Sequence, residues 1–99
     1  MIIQKTMKGT VLNVALEGRL DTSTAPQLEE ELKNDLLGIF NLEMDFSKLE
    51  YISSAGLRVL LWAKKQLYGK GKVTIRHPNE IVREVFSVTG FDDILQVEL

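Results

Sequence analysis

The sequence predicts an α/β fold, a mixed β-sheet flanked by helices in the order β-β-α-β-α-β-α-β. Three observations predict it. Two opening runs of strand formers are separated by a turn that contains glycine, which reads as a hairpin. Three later stretches carry apolar residues at helical spacing. The runs between them are short and either alternate in polarity or are β-branched. Strands alternating with helices imply parallel crossovers within one sheet, with helices over at least one face.

Each element has a local reason. Ile2 to Met7 reads as a short edge strand, and Lys8-Gly9 as a turn. Val11 to Glu17 places Leu12, Val14 and Leu16 on one face and Val11, Asn13 and Ala15 on the other, the period of a strand. Gly18 to Thr22 forms a connection. Thr22, Ser23 and Thr24 then offer hydroxyl caps before Ala25-Pro26, and proline suits a first helical turn. The helix that follows, Gln27 to about Leu37, carries Leu28, Leu32 and Leu36 four apart. Glu29, Glu30 and Glu31 read as its solvated face, near an N-terminus whose dipole favours negative charge.

Asn41 to Phe46 alternates again, with Leu42, Met44 and Phe46 against Glu43 and Asp45. A long helix is expected from the Ser53-Ser54-Ala55-Gly56 stretch to about Tyr68. Val59, Leu60, Ala63 and Leu67 form its buried stripe, widened by Leu61 and Trp62, and Gly69-Lys70-Gly71 ends it. Lys72 to Arg76 is a strand centred on Val73 and Ile75. Pro78-Asn79 introduces a third helix with Ile81, Val82, Val85 and Phe86 inward, stopped by Gly90; Leu95 to Glu98 closes the chain as a strand.

Composition removes several function classes. The 99 residues suit one domain, expected over 1–99, with no linker or repeat. There is no cysteine, hence no disulfide, thiolate metal site or cysteine nucleophile. The one histidine, His77, makes a transition-metal site improbable and reads as a surface or capping residue. Twelve Lys and Arg against 14 Asp and Glu leave a charge of −2, which disfavours non-specific nucleic-acid binding. Tyr51, Trp62 and Tyr68 lack the basic interleaving of a nucleic-acid surface. No apolar run approaches the ~18 residues of a spanning helix, and no signal peptide is visible, so a cytoplasmic protein without membrane association is the expectation. Neither a phosphate-binding G-x-x-x-x-G-K-[ST] loop nor a G-x-S-x-G elbow occurs. Asp21 and Asp45 are two carboxylates to which no reaction class attaches. The chain therefore reads as a non-enzyme without a cofactor.

Function is expected in the loops at the carboxyl ends of the strands, where helix N-termini point. Two qualify, Arg19 to Thr24 and Leu49 to Gly56, and both are rich in hydroxyls. Serine at a helix start is ordinarily a cap. The same place also tolerates an added phosphate best, because free N–H groups and the positive dipole end favour a dianion. Local chemistry leaves capping and phosphate acceptance both open for Ser53 and Ser54.

Three segments carry a family resemblance. Met44 to Leu60, read MDFSKLEYISSAGLRVL, closely resembles the core motif of STAS domains, in particular the single-domain anti-sigma factor antagonists. Glu17 to Ala25 is similar to the family's G-x-[IL]-D-x-x-[ST]-A stretch, and Phe86 to Ile94 to its last helix and exit. The resemblance spans nearly the whole chain and implies a sheet flanked by helices. It also implies partner switching. An unphosphorylated antagonist binds an anti-sigma factor that is also a serine kinase, and so releases a sigma factor. Phosphorylation of one serine dissociates the pair, and a PP2C-type phosphatase reverses it. Laid on the family's D-S-[ST]-G motif by Gly56, the acceptor is Ser54, the acid position holds Ser53 and the next holds Ala55. Asp21 matches the family's loop acid, so Asp21, Thr22, Ser53, Ala55 and Gly56 are the expected partner-binding residues. The alternative is a constitutive scaffold or sensor subunit of a regulatory or transporter-linked complex, in which Ser53 and Ser54 only cap the helix.

Overall fold

The alternation in the second strand builds the floor of the core. Leu12, Val14 and Leu16 are buried on one face, while Val11, Asn13 and Ala15 are half-buried on the other. The computed structural model describes residues 1–99. Its strands are β1 (Ile2–Lys8), β2 (Val11–Leu20), β3 (Asn41–Ile52), β4 (Val73–Arg76) and β5 (Gln96–Glu98). Helix α1 (Ala25–Lys33) joins β2 to β3, α2 (Ser54–Gln66) joins β3 to β4, and α3 (Glu80–Thr89) joins β4 to β5.

The sheet order is β1-β2-β3-β4-β5. β1 runs antiparallel to β2 through a turn in which Gly9 takes a φ of 62°, and β2 to β5 are mutually parallel. The expected fold class, hairpin and parallel crossovers are all present. A cluster of 24 buried apolar residues fills the space between one face of the sheet and the helices. Leu28 and Leu32 of α1, Leu60 and Ala63 of α2, and Val82 and Phe86 of α3 all enter it. Full burial stabilises by roughly 1.5–3 kcal/mol for each large side chain of this kind. Phe46 and Phe86 meet there, ring centroids 6.4 Å apart.

Several boundaries differ from the sequence expectation, each for a physical reason. Gly18 to Leu20 is not a connection but the end of β2, and β3 does not stop at Phe46 but continues to Ile52. The pairing of these two strands slips between Ala15 and Glu17 and again between Gly18 and Arg19. At each slip β3 carries an extra residue, a bulge that interrupts the period-2 pattern. Phe46, Leu49 and Ile52 are therefore the buried residues of this stretch, three apart instead of two. The first helix ends at Lys33, and Asp35–Gly38 forms a 3-10 turn that still buries Leu36.

Two side-chain placements also differ. Ile81 does not face inward; it is 55% exposed, because α3 packs through Val82 and Phe86 alone, with Val85 at the margin. In α2, Trp62 packs against the margin of the core as expected, but Leu61 is only partly buried and does not join it, while Gly56 and Leu57 extend the inward stripe. The acidic run of α1 is solvated as expected, with one tie. Lys5 Nζ contacts Glu31 Oε2 at 3.0 Å and Asp35 Oδ2 at 2.8 Å, tying β1 to α1 and to the 3-10 turn after it. Its hydrogen bond to Asp35, then that to Glu31, raises the Lys5 pKa above the ordinary lysine value.

Candidate functional site

The bulged ends of β2 and β3 run side by side and deliver both hydroxyl-rich loops to one place. Arg19 pairs with Tyr51 and Leu20 with Ile52 in the register of these strands. The Ser53 amide then donates to the Leu20 carbonyl at 2.9 Å, so the ladder continues to the first residue before α2. Gly56 completes the junction. A Cβ at Gly56 would lie 2.7 Å from Leu20 Cγ and 2.8 Å from Ile52 Cγ1, so only glycine lets the first turn of α2 settle onto the two strand ends.

The loop after β2 is a closed polar knot. Asp21 Oδ1 accepts from the Ser23 hydroxyl at 2.7 Å, the Ser23 amide at 3.0 Å and the Thr24 amide at 3.2 Å. Thr24 Oγ1 donates to the Arg19 carbonyl at 2.7 Å and accepts from the Asp21 amide at 2.9 Å. The hydrogen bond from the Ser23 side chain is the main cause that holds the Asp21 carboxyl below its usual pKa. The hydroxyl caps expected before α1 are thus replaced by an acid. Thr24 occupies the cap position and makes no side-chain cap bond, while Asp21 takes the amides. Thr22 stays exposed beside it.

The start of α2 differs from the start of α3. Asn79 caps α3 by accepting from the Val82 amide at 2.8 Å, and its amide group donates to the carbonyls of Leu49 and Glu50. Ser53 holds the same position before α2 and makes no such bond. Its hydroxyl oxygen is shielded from solvent and has no hydrogen-bond partner at all. The next residue, Ser54, is exposed on the first turn; Ala55 is half-buried and Gly56 buried. Capping by Ser53, one of the two readings open from the sequence, is not made.

Two further residues belong to this surface. Arg19 lies over the Tyr51 ring, 4.5 Å from its centroid, and its Nε is 3.7 Å from Asp21 Oδ2. The sequence places Tyr51 in the loop before α2 but gives it no partner. The strand register that sets it against Arg19 depends on two bulges, and no local pattern reports it. Asp45, by contrast, sits mid-strand opposite Ala15 and binds the Ser47 amide, so the two aspartates are not brought together. His77 lies at the end of β4 with a φ of 57°, its amide donating to the Glu98 carbonyl and its Nδ1 3.3 Å from the Leu99 carbonyl oxygen. No group of three or more His, Cys, Asp or Glu side chains is placed to hold a metal, and no helix is long and apolar enough to cross a membrane.

Comparison with known proteins decides the family. The profile described as "Mlab, STAS domain" matches residues 3–97. The chain belongs to the STAS-domain family. BtrV of Bordetella bronchiseptica, named as an anti-sigma factor antagonist, is 39% identical over 89 residues, covering 88% of this chain and 77% of BtrV. Solved structures share the fold of this one. TM1081 of Thermotoga maritima, titled an anti-sigma factor antagonist, superposes with a TM-score of 0.91 at 22% identity, covering 98% of this chain and 86% of that one. Unphosphorylated SpoIIAA gives 0.86 at 20% identity over 97% of this chain and 87% of its own. The phosphorylated form of this Bacillus protein gives 0.77 at 19% identity, covering 97% and 90%.

Proposed function

We propose that this STAS domain is an anti-sigma factor antagonist that acts by partner switching, with Ser54 as its phosphoacceptor. The observation that carries the reading is the placement of Ser54. It is exposed on the first turn of α2, just past a strand end that the Ser53–Leu20 hydrogen bond ties to the Asp21 loop. An antagonist name on a relative 39% identical over most of the chain supports the class of partner. In the unmodified state, the Asp21–Thr22 loop, Ser53, Ala55 and the Gly56 turn form the surface for an anti-sigma factor that is also a serine kinase.

The switch is a covalent change with a direct electrostatic effect. The kinase transfers the γ-phosphoryl group of ATP to Ser54 Oγ. The bond to the β-phosphate oxygen breaks, ADP leaves, and the seryl proton passes to a base of the kinase. The dianion then meets a surface shaped for a neutral hydroxyl, and desolvation with like-charge repulsion ejects the partner. A PP2C-type phosphatase hydrolyses the ester with water and restores Ser54 and inorganic phosphate. The protein itself is the part acted upon, not a catalyst.

The test is incubation of the chain with its anti-sigma kinase and ATP, followed by mapping of the phosphate by mass spectrometry. Modification at Ser54 is the expected result; modification elsewhere with Ser54 untouched would overturn the assignment. A second reading is favoured by one observation, the uncharged Ser53 at the position where the family motif carries an acid. In that reading the domain is a constitutive scaffold or sensor subunit of a larger regulatory assembly. Affinity purification separates them: a kinase-type ATPase as partner supports the first, a transporter or multi-subunit signalling complex the second.

A further inference from the structure

The Ser53 hydroxyl is the one shielded side-chain polar atom in the molecule without a hydrogen-bond partner. Leaving such a group unpaired costs stability, and native structures pair most of them. Its backbone is not free to turn it outward, because the Ser53 amide is held by Leu20 and its carbonyl accepts from the Leu57 amide. Rotation about one side-chain bond is its remaining freedom. Ser53 directly precedes Ser54 in the chain and holds the cap position of α2 without making a side-chain cap bond. Arg58 follows Ser54 by four residues on the same exposed helix face, and its guanidinium enters none of the ion pairs of the molecule. Side chains four apart on a helix are neighbours, and a guanidinium matches phosphate in charge and shape.

We infer that the chain carries its own receiver for a phosphate on Ser54, with the Ser53 hydroxyl donating a hydrogen bond from one side and the Arg58 guanidinium pairing from the other. The inference rests on Ser54 being the acceptor. Serine at 53 then has a consequence that an acid there would reverse, since a carboxylate would repel the dianion and a hydroxyl can donate to it. The idle hydroxyl costs the unmodified state and is satisfied only in the modified one. The receiver stabilises the phosphorylated form within the chain itself, before any partner is considered.

The experiment installs phosphoserine at position 54 during translation, so that no kinase is needed and failure of the inference is separate from failure of the acceptor assignment. The second ionisation of the phosphate is followed by phosphorus NMR in the parent, Ser53→Ala and Arg58→Gln chains. The parent is expected to titrate below the value of about 6 for a free phosphoserine, and each substitution to raise it by about half a unit. Arg58→Lys is expected to recover part of the shift, as a charge without the bidentate fork. A parent value unmoved by either Ser53→Ala or Arg58→Gln overturns the two-sided receiver. The unphosphorylated Ser53→Ala chain supplies an independent check. It is expected to melt at or above the parent temperature, because it loses an unpaired hydroxyl. A fall of several degrees would mean that Ser53 already caps α2 and is not in reserve.

Discussion

The Ser53 amide donates to the Leu20 carbonyl across 2.9 Å, and this bond extends the Leu20–Ile52 pairing so that the two loops lie side by side. Leu20 ends β2 and leads into the Asp21 knot; Ser53 follows the last residue of β3, Ile52, and leads into Ser54. A change at either loop is therefore expected to reach the other, because the residues between them are hydrogen-bonded and packed.

Gly56 tests that coupling. In Gly56→Ala the new methyl would meet the buried side chains of Leu20 and Ile52 at 2.7–2.8 Å, and neither can leave the core. Overpacking of this kind costs about 1–3 kcal/mol. Urea unfolding should show a lower midpoint with an unchanged slope, and the amide signals of Asp21 to Thr24 should shift along with those of α2. A midpoint equal to that of the parent would contradict the close packing.

Asp21 tests the knot by pH. Its folded pKa is depressed, chiefly by the Ser23 hydroxyl, with the Ser23 and Thr24 amides adding to it. A depressed carboxylate contributes stability that is present above its unfolded pKa, near 3.9, and lost as pH falls through the lower folded value. The knot should hold at neutral pH and loosen only in acid. Amide NMR of Ser23 and Thr24 should titrate with a midpoint below that of an ordinary aspartate, and the transition should vanish in Asp21→Asn. A midpoint at or above the ordinary value would contradict the hydrogen-bonded geometry.

The core makes a simpler demand. Phe86 is fully buried, stacked obliquely against Phe46, and is one of the few anchors by which α3 holds the sheet. Phe86→Ala should destabilise by about 3–5 kcal/mol. For a domain of this size each kcal/mol lowers the melting temperature by roughly 4–8 °C, so a large fall in thermal unfolding is expected. A change of only a few degrees would show that α3 is not seated on β3 as described.

The sequence was most legible where a regular period coincided with burial on one side. Leu12, Val14 and Leu16 in β2 and Leu42, Met44 and Phe46 in β3 alternate, and all six are core residues. It was least legible where tertiary pairing bends the period. The bulges hide the second half of β3, since Phe46, Leu49 and Ile52 fit neither template. Ile81 has the right spacing for the inward stripe of α3, yet it is more than half exposed, and periodicity cannot report which element lies alongside. The two candidate loops were readable from their hydroxyls and glycine. Their junction was not, because the Ser53–Leu20 bond and the Arg19–Tyr51 stack join residues distant in the chain. Serine before a helix is ordinarily a cap, and only the geometry shows that Ser53 does not make that bond.

Ser54 carries the central claim. Its side chain is exposed, so Ser54→Ala should leave folding stability within about 0.5 kcal/mol. It should also leave partner binding intact while abolishing release. The most direct measurement compares the affinity of the anti-sigma factor for the unmodified chain and for the chain carrying phosphoserine at 54, by titration calorimetry at one salt concentration. A dianion buried against a surface made for a hydroxyl should weaken the complex by about 3–4 kcal/mol, two to three decades in Kd. Equal affinities for the two forms would contradict the account.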